Sequence, residues 1–196
     1  MLFLVRVMQG KIFFYKENIE KNVVMLRLSR IFWGICRLKA NPQDLPKGQY
    51  LLFAVVFASI IVDSFSSSIL IVRLSHIEIV QTVTFYNFIL LTSAYLLLKL
   101  LGYAERGVQT ITAMAGSGLF ISLVLLPALL ILDTTEDSVK PFTLLILIDN
   151  VWRIIVNAHI FRHALSIGLL MAMIISVSYL LFSALVADFL LPAQAA

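Results

Sequence analysis

Five stretches of mostly apolar residues, each of about 20 residues or more, take up most of this chain. They cover about 50–72, 79–101, 108–132, 142–161 and 165–190. A helix needs about that length to cross a hydrocarbon core of about 30 Å. Lipid offers no hydrogen bonds, so a spanning segment must satisfy its own backbone, and mostly apolar runs of this length specify helices. Composition agrees: 61% of residues are hydrophobic and 13% charged, against roughly half and a quarter in soluble domains. The expected fold class is all-α, a polytopic transmembrane helical bundle of about five spans with an N-terminal amphipathic interfacial helix. The chain divides into a basic arm over 1–49, a five-span domain over 50–190 and a short tail over 191–196.

The links between the runs carry turn and charge signals. Arg73 to Glu78 follows the first run, and Gly102 to Gly107 follows the second with a glycine at each end. Asp133 to Pro141 follows the third, where Pro141 suits a helix start. Arg162-His163 is the expected break between the fourth and fifth, making a tight hairpin. Of the 15 Lys and Arg residues, nine precede residue 50. With the N-terminus in the cytoplasm, Lys99, Arg106 and Arg162 join them on the inner side. Only Arg73 and Lys140 then fall outside, as the positive-inside rule asks. Five spans place the C-terminus on the external side. The net charge of +4 is therefore a membrane-orientation signal, and nucleic acid is not an expected partner.

The arm holds a second pattern. Arg27, Arg30, Gly34 and Arg37 share one face of a helix over 23–39, while Leu26, Leu28, Ile31, Phe32, Trp33, Ile35 and Leu38 cover most of the rest. A narrow basic stripe on an apolar helix suits a position under the headgroups, with the basic face of Arg27, Arg30 and Arg37 on anionic lipid of the cytoplasmic leaflet. The other placement is against the inner end of the bundle. Asn41-Pro-Gln-Asp-Leu-Pro46 then interrupts the helix, because its two prolines remove donors and restrict their neighbours. The apolar run at the start of the chain is broken by Arg6 and Lys11, which argues against a cleaved signal peptide.

Charged groups inside spans are costly and usually face the bundle with a partner. The first run carries Asp63, followed by Ser64, Ser66, Ser67 and Ser68. The fourth carries Asp149, Asn150, Arg153 and Asn157 within an arc of about 100°, with Asp149 and Arg153 spaced for an ion pair. Counting from the outer edge, Asp149 is about 10 Å deep, Asn87 about 12 Å, Asp63 about 13 Å and Arg153 about 16 Å. A shared intramembrane cluster of Asp63, Asn87, Asp149, Asn150 and Arg153 is expected. It is either a polar lock that holds the bundle together or a site for an ion, a proton or a small polar ligand.

Other chemistry is thin. The single cysteine, Cys36, permits no internal disulfide and no cysteine-based zinc site. His159 and His163 are spaced like two metal ligands, but HExxH is absent and no carboxylate or cysteine accompanies them. They read as polar residues at the interface, and neither a metal nor a cofactor is expected. Thr112, Gly116 and the run Ala115-Gly-Ser-Gly118 offer small surfaces for close helix packing. No catalytic acid–base pair can be assembled, so the chain is not expected to be an enzyme.

The basic amphipathic start, the Asn41-Pro-Gln-Asp-Leu-Pro46 elbow, the five runs, and the late Trp152 with Asn157-Ala-His-Ile-Phe-Arg-His-Ala-Leu165 resemble uncharacterised small bacterial inner-membrane proteins. In layout they are distantly similar to the Yip1-domain class. The resemblance covers about residues 25–190. It implies a multi-pass protein of the bacterial inner membrane, a cytoplasmic N-terminus, and a role in organising or recruiting other membrane components. Its partners would then be the lipid bilayer and other membrane proteins or further copies of itself. The alternative is a small transporter or channel subunit that uses the Asp/Arg/Asn cluster.

Overall fold

The structure, a computed structural model, describes residues 24–70, 74–131 and 139–190. Among the described residues six α-helices make up the fold: α1 (24–36), α2 (Gln49–Leu70), α3 (His76–Leu100), α4 (Gly107–Ile131), α5 (Val139–Leu165) and α6 (Leu169–Leu190). Short 3-10 turns at Pro42–Asp44 and Ala104–Arg106 lead into α2 and α4. No strand occurs among the described residues. The acidic loop expected over 133–141 lies mostly outside them, as do the first 23 residues and the tail.

Helices α2 to α6 are each long and apolar enough to cross a membrane. Their outer surfaces are covered with large apolar side chains, including Phe53, Phe57 and Phe65 on α2, Phe85 and Phe88 on α3, and Leu181, Leu185 and Phe189 on α6. Water would drive such a surface to aggregate, whereas lipid solvates it. The chain is a multi-pass integral membrane protein.

Helix α4 runs through the centre, packed on α2, α3 and α5, while α6 closes the far side against α5 and α3. Its own residues explain this position. Thr110, Thr112, Ala113, Ala115, Gly116 and Ser117 are all buried, and small side chains let neighbouring helices approach closely. The apolar core lies at one end of the bundle, where Val55, Ala94, Leu98, Met114, Val156, Ile160 and Phe161 meet. This is also the end that carries Lys47, Lys99, Arg106 and Arg162, and it is called the basic end below.

The chain reverses at different points from those expected. Helix α5 runs on through Arg162 and His163 to Leu165, and the break falls at Ser166, Ile167 and Gly168. Ser166 takes a left-handed conformation (φ 54°), and the Ile167 N–H reaches back to the Arg162 carbonyl at 3.2 Å. The last carbonyls of α5, which have no partners within the helix, are capped from outside. Gln43 donates to the His163 carbonyl at 2.9 Å, and Arg106 donates to the Ala164 carbonyl at 3.1 Å and to Ser166 Oγ at 2.8 Å. Arg162 and His163 are therefore last-turn residues, where positive charge complements the helix dipole. At the start of α3, Ser75 and Glu78 form a reciprocal capping box, with the Ser75 N–H donating to Glu78 at 2.8 Å.

Helix α1 ends at residue 36, and the last part of the expected 23–39 segment is its cap. Leu38 is left-handed (φ 60°), with the Leu38 N–H on the Ile35 carbonyl at 2.9 Å and the Lys39 N–H on the Gly34 carbonyl at 2.8 Å. The apolar side of α1 is docked on α4 and α5. Phe32, Ile35 and Cys36 are buried, and Phe32 stacks on Phe120 with ring centroids 5.8 Å apart. A Cβ on Gly116 would overlap the Phe32 ring, so glycine makes that seat. Trp152 donates to the Cys36 carbonyl at 3.1 Å. Arg27, Arg30 and Arg37 remain exposed on the opposite face. The contacts of α1 fall on Gly116, Phe120 and Trp152, about 14–20 Å along α4 and α5 from the basic end, so the helix is docked on the bundle well above its inner end. The elbow that follows is tied down as well: Gln109 donates to the Leu45 carbonyl at 2.6 Å, and a ring nitrogen of His159 lies 2.9 Å from the Ala40 carbonyl.

Candidate functional site

Above the apolar core, in the half of the bundle away from the basic end, the helices part around a cavity of about 380 Å³. Its walls come from all five spanning helices. Measured along each helix from the basic end, Asp63, Asn87, Ser122 and Arg153 all lie about 20 Å up, so one layer collects them. Asp63, Asn87, Asp149, Asn150 and Arg153, the residues expected to share a cluster, all line this cavity.

They are joined less directly than their spacing suggested. Arg153 and Asp149 form the expected pair on α5, with Arg153 Nε 2.9 Å from Asp149 Oδ1 and 3.0 Å from Oδ2. Arg153 does not reach Asp63 itself. Its Nη2 donates to Ser122 Oγ on α4 at 2.8 Å, and Ser122 Oγ donates to Asp63 Oδ1 at 3.0 Å. A hydroxyl has one proton and two lone pairs, so Ser122 can accept from the guanidinium and donate to the carboxylate together. The result is a chain from α5 through α4 to α2. Asn87 approaches the same carboxylate from α3, while its amide also donates to the Val83 carbonyl of its own helix at 3.0 Å. Asn150 turns back to the Ile146 carbonyl at 2.9 Å, so it lines the cavity without joining the chain.

The sequence reading overlooked Ser122, because a lone serine in a long apolar run gives no signal by composition. Its depth along α4 was the available clue. Gly118 is more than a small packing surface, because its missing side chain makes room for Arg153. A Cβ there would stand 3.2 Å from Arg153 Nη1. Tyr179 was also missed; its hydroxyl donates to the Leu90 carbonyl at 2.8 Å and ties α6 to α3 beside the cavity. Ser59, Ser66 and Ser67 complete the α2 wall.

Outside this region, Arg27 and Arg30 lie on α1 and Arg37 in the turn after it, and none of the three lines the cavity. The imidazoles of His159 and His163 meet edge to face at 4.6 Å near the basic end. Among the described residues, no group of three or more His, Cys, Asp or Glu side chains could hold a metal ion. Cys36 faces the Ser117 carbonyl, with Sγ 3.7 Å from the oxygen, and burial pushes its thiol pKa up to about 11.

No family model matches the chain, and no curated protein or solved structure matches it either.

Proposed function

We propose that this protein is a non-enzymatic small transporter or channel subunit whose intramembrane cavity receives a small polar solute. The observation that carries this reading is that the Asp63–Ser122–Arg153–Asp149 chain lines an open cavity instead of filling the interior. A structural lock gains most when its polar groups are enclosed and mutually satisfied. Here charged groups border a space of about 380 Å³, within the range of small-ligand sites. The tightly packed apolar core closes the cavity toward the basic end. With the basic end in the cytoplasm of a bacterial cell, the cavity belongs to the external half of the inner membrane.

The competing role, organising or recruiting other membrane components, treats the same residues as a lock. Proteoliposome experiments separate the two. Vesicles containing the protein should show counterflow of at least one small amine, zwitterion or inorganic ion above protein-free vesicles. Asp63→Asn should abolish that flux while the protein still purifies as a folded species. Reconstituted protein that moves none of these solutes would return the cluster to a lock and the protein to the organising role.

A further inference from the structure

We propose that Asp63 anchors a binding site for one monovalent cation on the α2 wall of the cavity. The inference deepens the transport reading and relies on it only for the use made of the ion; binding is a separate claim.

Charge counting comes first. Asp149 is matched by Arg153, whose Nε holds both its carboxylate oxygens. The Arg153 Nη2 group goes to Ser122, and what reaches Asp63 comes from neutral groups only, the Ser122 hydroxyl and the Asn87 amide. Among the described residues Asp63 makes no direct ion pair. The cavity therefore holds two carboxylates against one guanidinium. An uncompensated charge inside a membrane is expensive, so the site favours one positive charge from outside. A divalent ion would overshoot this balance in the presence of Arg153, which favours a single charge.

Donor chemistry and position point the same way. Ser59, Asp63, Ser66 and Ser67 stand at i−4, i, i+3 and i+4, so α2 presents them as one stripe on the cavity wall. A serine in a helix commonly returns its hydroxyl to a carbonyl three or four residues back. Ser59 does so to Val56 at 2.8 Å, and Ser68 does so to Phe65 at 2.7 Å. Ser64 and Ser66 do not: each Oγ is buried without a hydrogen-bond partner, and of the two only Ser66 lines the cavity. A buried unpaired hydroxyl is costly, more so in lipid, and an oxygen beside Asp63 with no protein partner suits a ligand. Asn87 adds a carboxamide from α3. Carboxylate, hydroxyl and amide oxygens, with no sulfur or imidazole among them, suit a hard cation of the alkali type. The cavity exceeds the size of a bare ion and leaves room for its waters or a second solute.

The test uses the purified full-length chain in detergent, without flux. Radioactive sodium is measured by scintillation proximity, with choline chloride holding ionic strength constant. Saturable binding of one ion per chain is expected, lost in Asp63→Asn and weakened several-fold in Ser66→Ala. Thermal unfolding should shift upward by a few degrees in sodium or potassium chloride relative to choline chloride. Absence of saturable binding and of any cation-specific shift in the wild-type protein overturns the proposal. So does a melting temperature that responds to pH but to no metal cation, which would mean that Asp63 is neutralised by a proton. If Asp63→Asn does not fold, the wild-type titration and Ser66→Ala decide, and unchanged affinity in Ser66→Ala overturns the assignment to this wall. Binding without flux would remove the transport reading and leave this site standing; flux without binding would do the reverse.

Discussion

At the scale of single residues, Arg153 governs the polar layer, because it is the cation that pairs with Asp149 and reaches Asp63 through Ser122. Its direct partner is Asp149, at 2.9 Å, and its influence on Asp63 passes through Ser122. Arg153→Leu should therefore destabilise the bundle strongly. Removing one member of a fully buried pair costs about 3–5 kcal/mol in soluble proteins because the other charge is left uncompensated; with the Arg153 and Asp149 side chains 32% and 29% exposed, the cost here should fall below that range. Replacing Arg153 and Asp63 together with apolar residues should cost less than the sum of the single changes, since residues that share a network couple. Denaturant titration of the purified single and double variants measures both values, and strict additivity would show that Ser122 does not link the two side chains energetically. Sequence reading went only part of the way here. The i,i+4 spacing of Asp149 and Arg153 on a helix showed the pair, and common depth brought in Asp63 and Asn87. Ser122 and the empty side-chain position of Gly118 stayed hidden, because a hydroxyl or a glycine in an apolar run acquires meaning only from what stands opposite it.

Among the elements, α1 departs most from its expected setting. The basic stripe was legible from spacing alone, and Arg27, Arg30 and Arg37 are exposed together. The seat for its apolar side was not legible, because it is made by a glycine on α4 and an indole on α5, far apart in sequence. Gly116→Leu should drive the Phe32 ring out of its seat and undock α1 from α4, while the contacts among α2 to α6 are left in place. Cys36 reports on this event. In the docked helix its thiol is buried and its pKa is raised from 9.0 to about 11. The thiolate is the reactive form, so at pH 8 docking suppresses it roughly a hundred-fold. Maleimide should label the native protein slowly at pH 8 and label Gly116→Leu much faster. As pH rises toward 11 the thiolate fraction of the docked protein grows, so the difference between the two proteins should narrow. Equal labelling of both at pH 8 would show that Phe32 does not hold the helix. The helix ends follow a similar logic: Leu38 and Ser166 adopt left-handed caps where glycine would be the usual signal, so the sequence marks the α5–α6 break only by the charged Arg162-His163 just before it.

For the molecule as a whole, apolar run lengths were enough to read the fold class, because lipid leaves a chain few alternatives to self-satisfied helices. Helix order around the bundle was not readable, since interhelical choice rests on small-residue contacts such as those along α4. Orientation has a different physical basis, namely the distribution of Lys and Arg between loops. The elbow before α2, the α3–α4 link and the end of α5 gather at one end of the bundle, tied together by Gln43, Gln109 and Arg106. That end carries Lys47, Lys99, Arg106 and Arg162, so it should face the cytoplasm. The single Arg73 of the α2–α3 link and the acidic sequence between α4 and α5, with Asp133, Glu136 and Asp137, should face outward. A reporter active only in the cytoplasm should be active when fused after residue 49 or near residue 104, and one active only outside should be active near residue 136 or after Ala196. The internal positions matter most, because the three helices between 49 and 136 must place those two points on opposite sides. An external signal after residue 49 would turn the whole bundle over, and the polar cavity would then belong to the cytoplasmic half. A cytoplasmic signal at both 49 and Ala196 would be harder to accommodate: an odd number of crossings separates these points, so one of α2 to α6 would have to leave the membrane despite a length and composition sufficient to cross it.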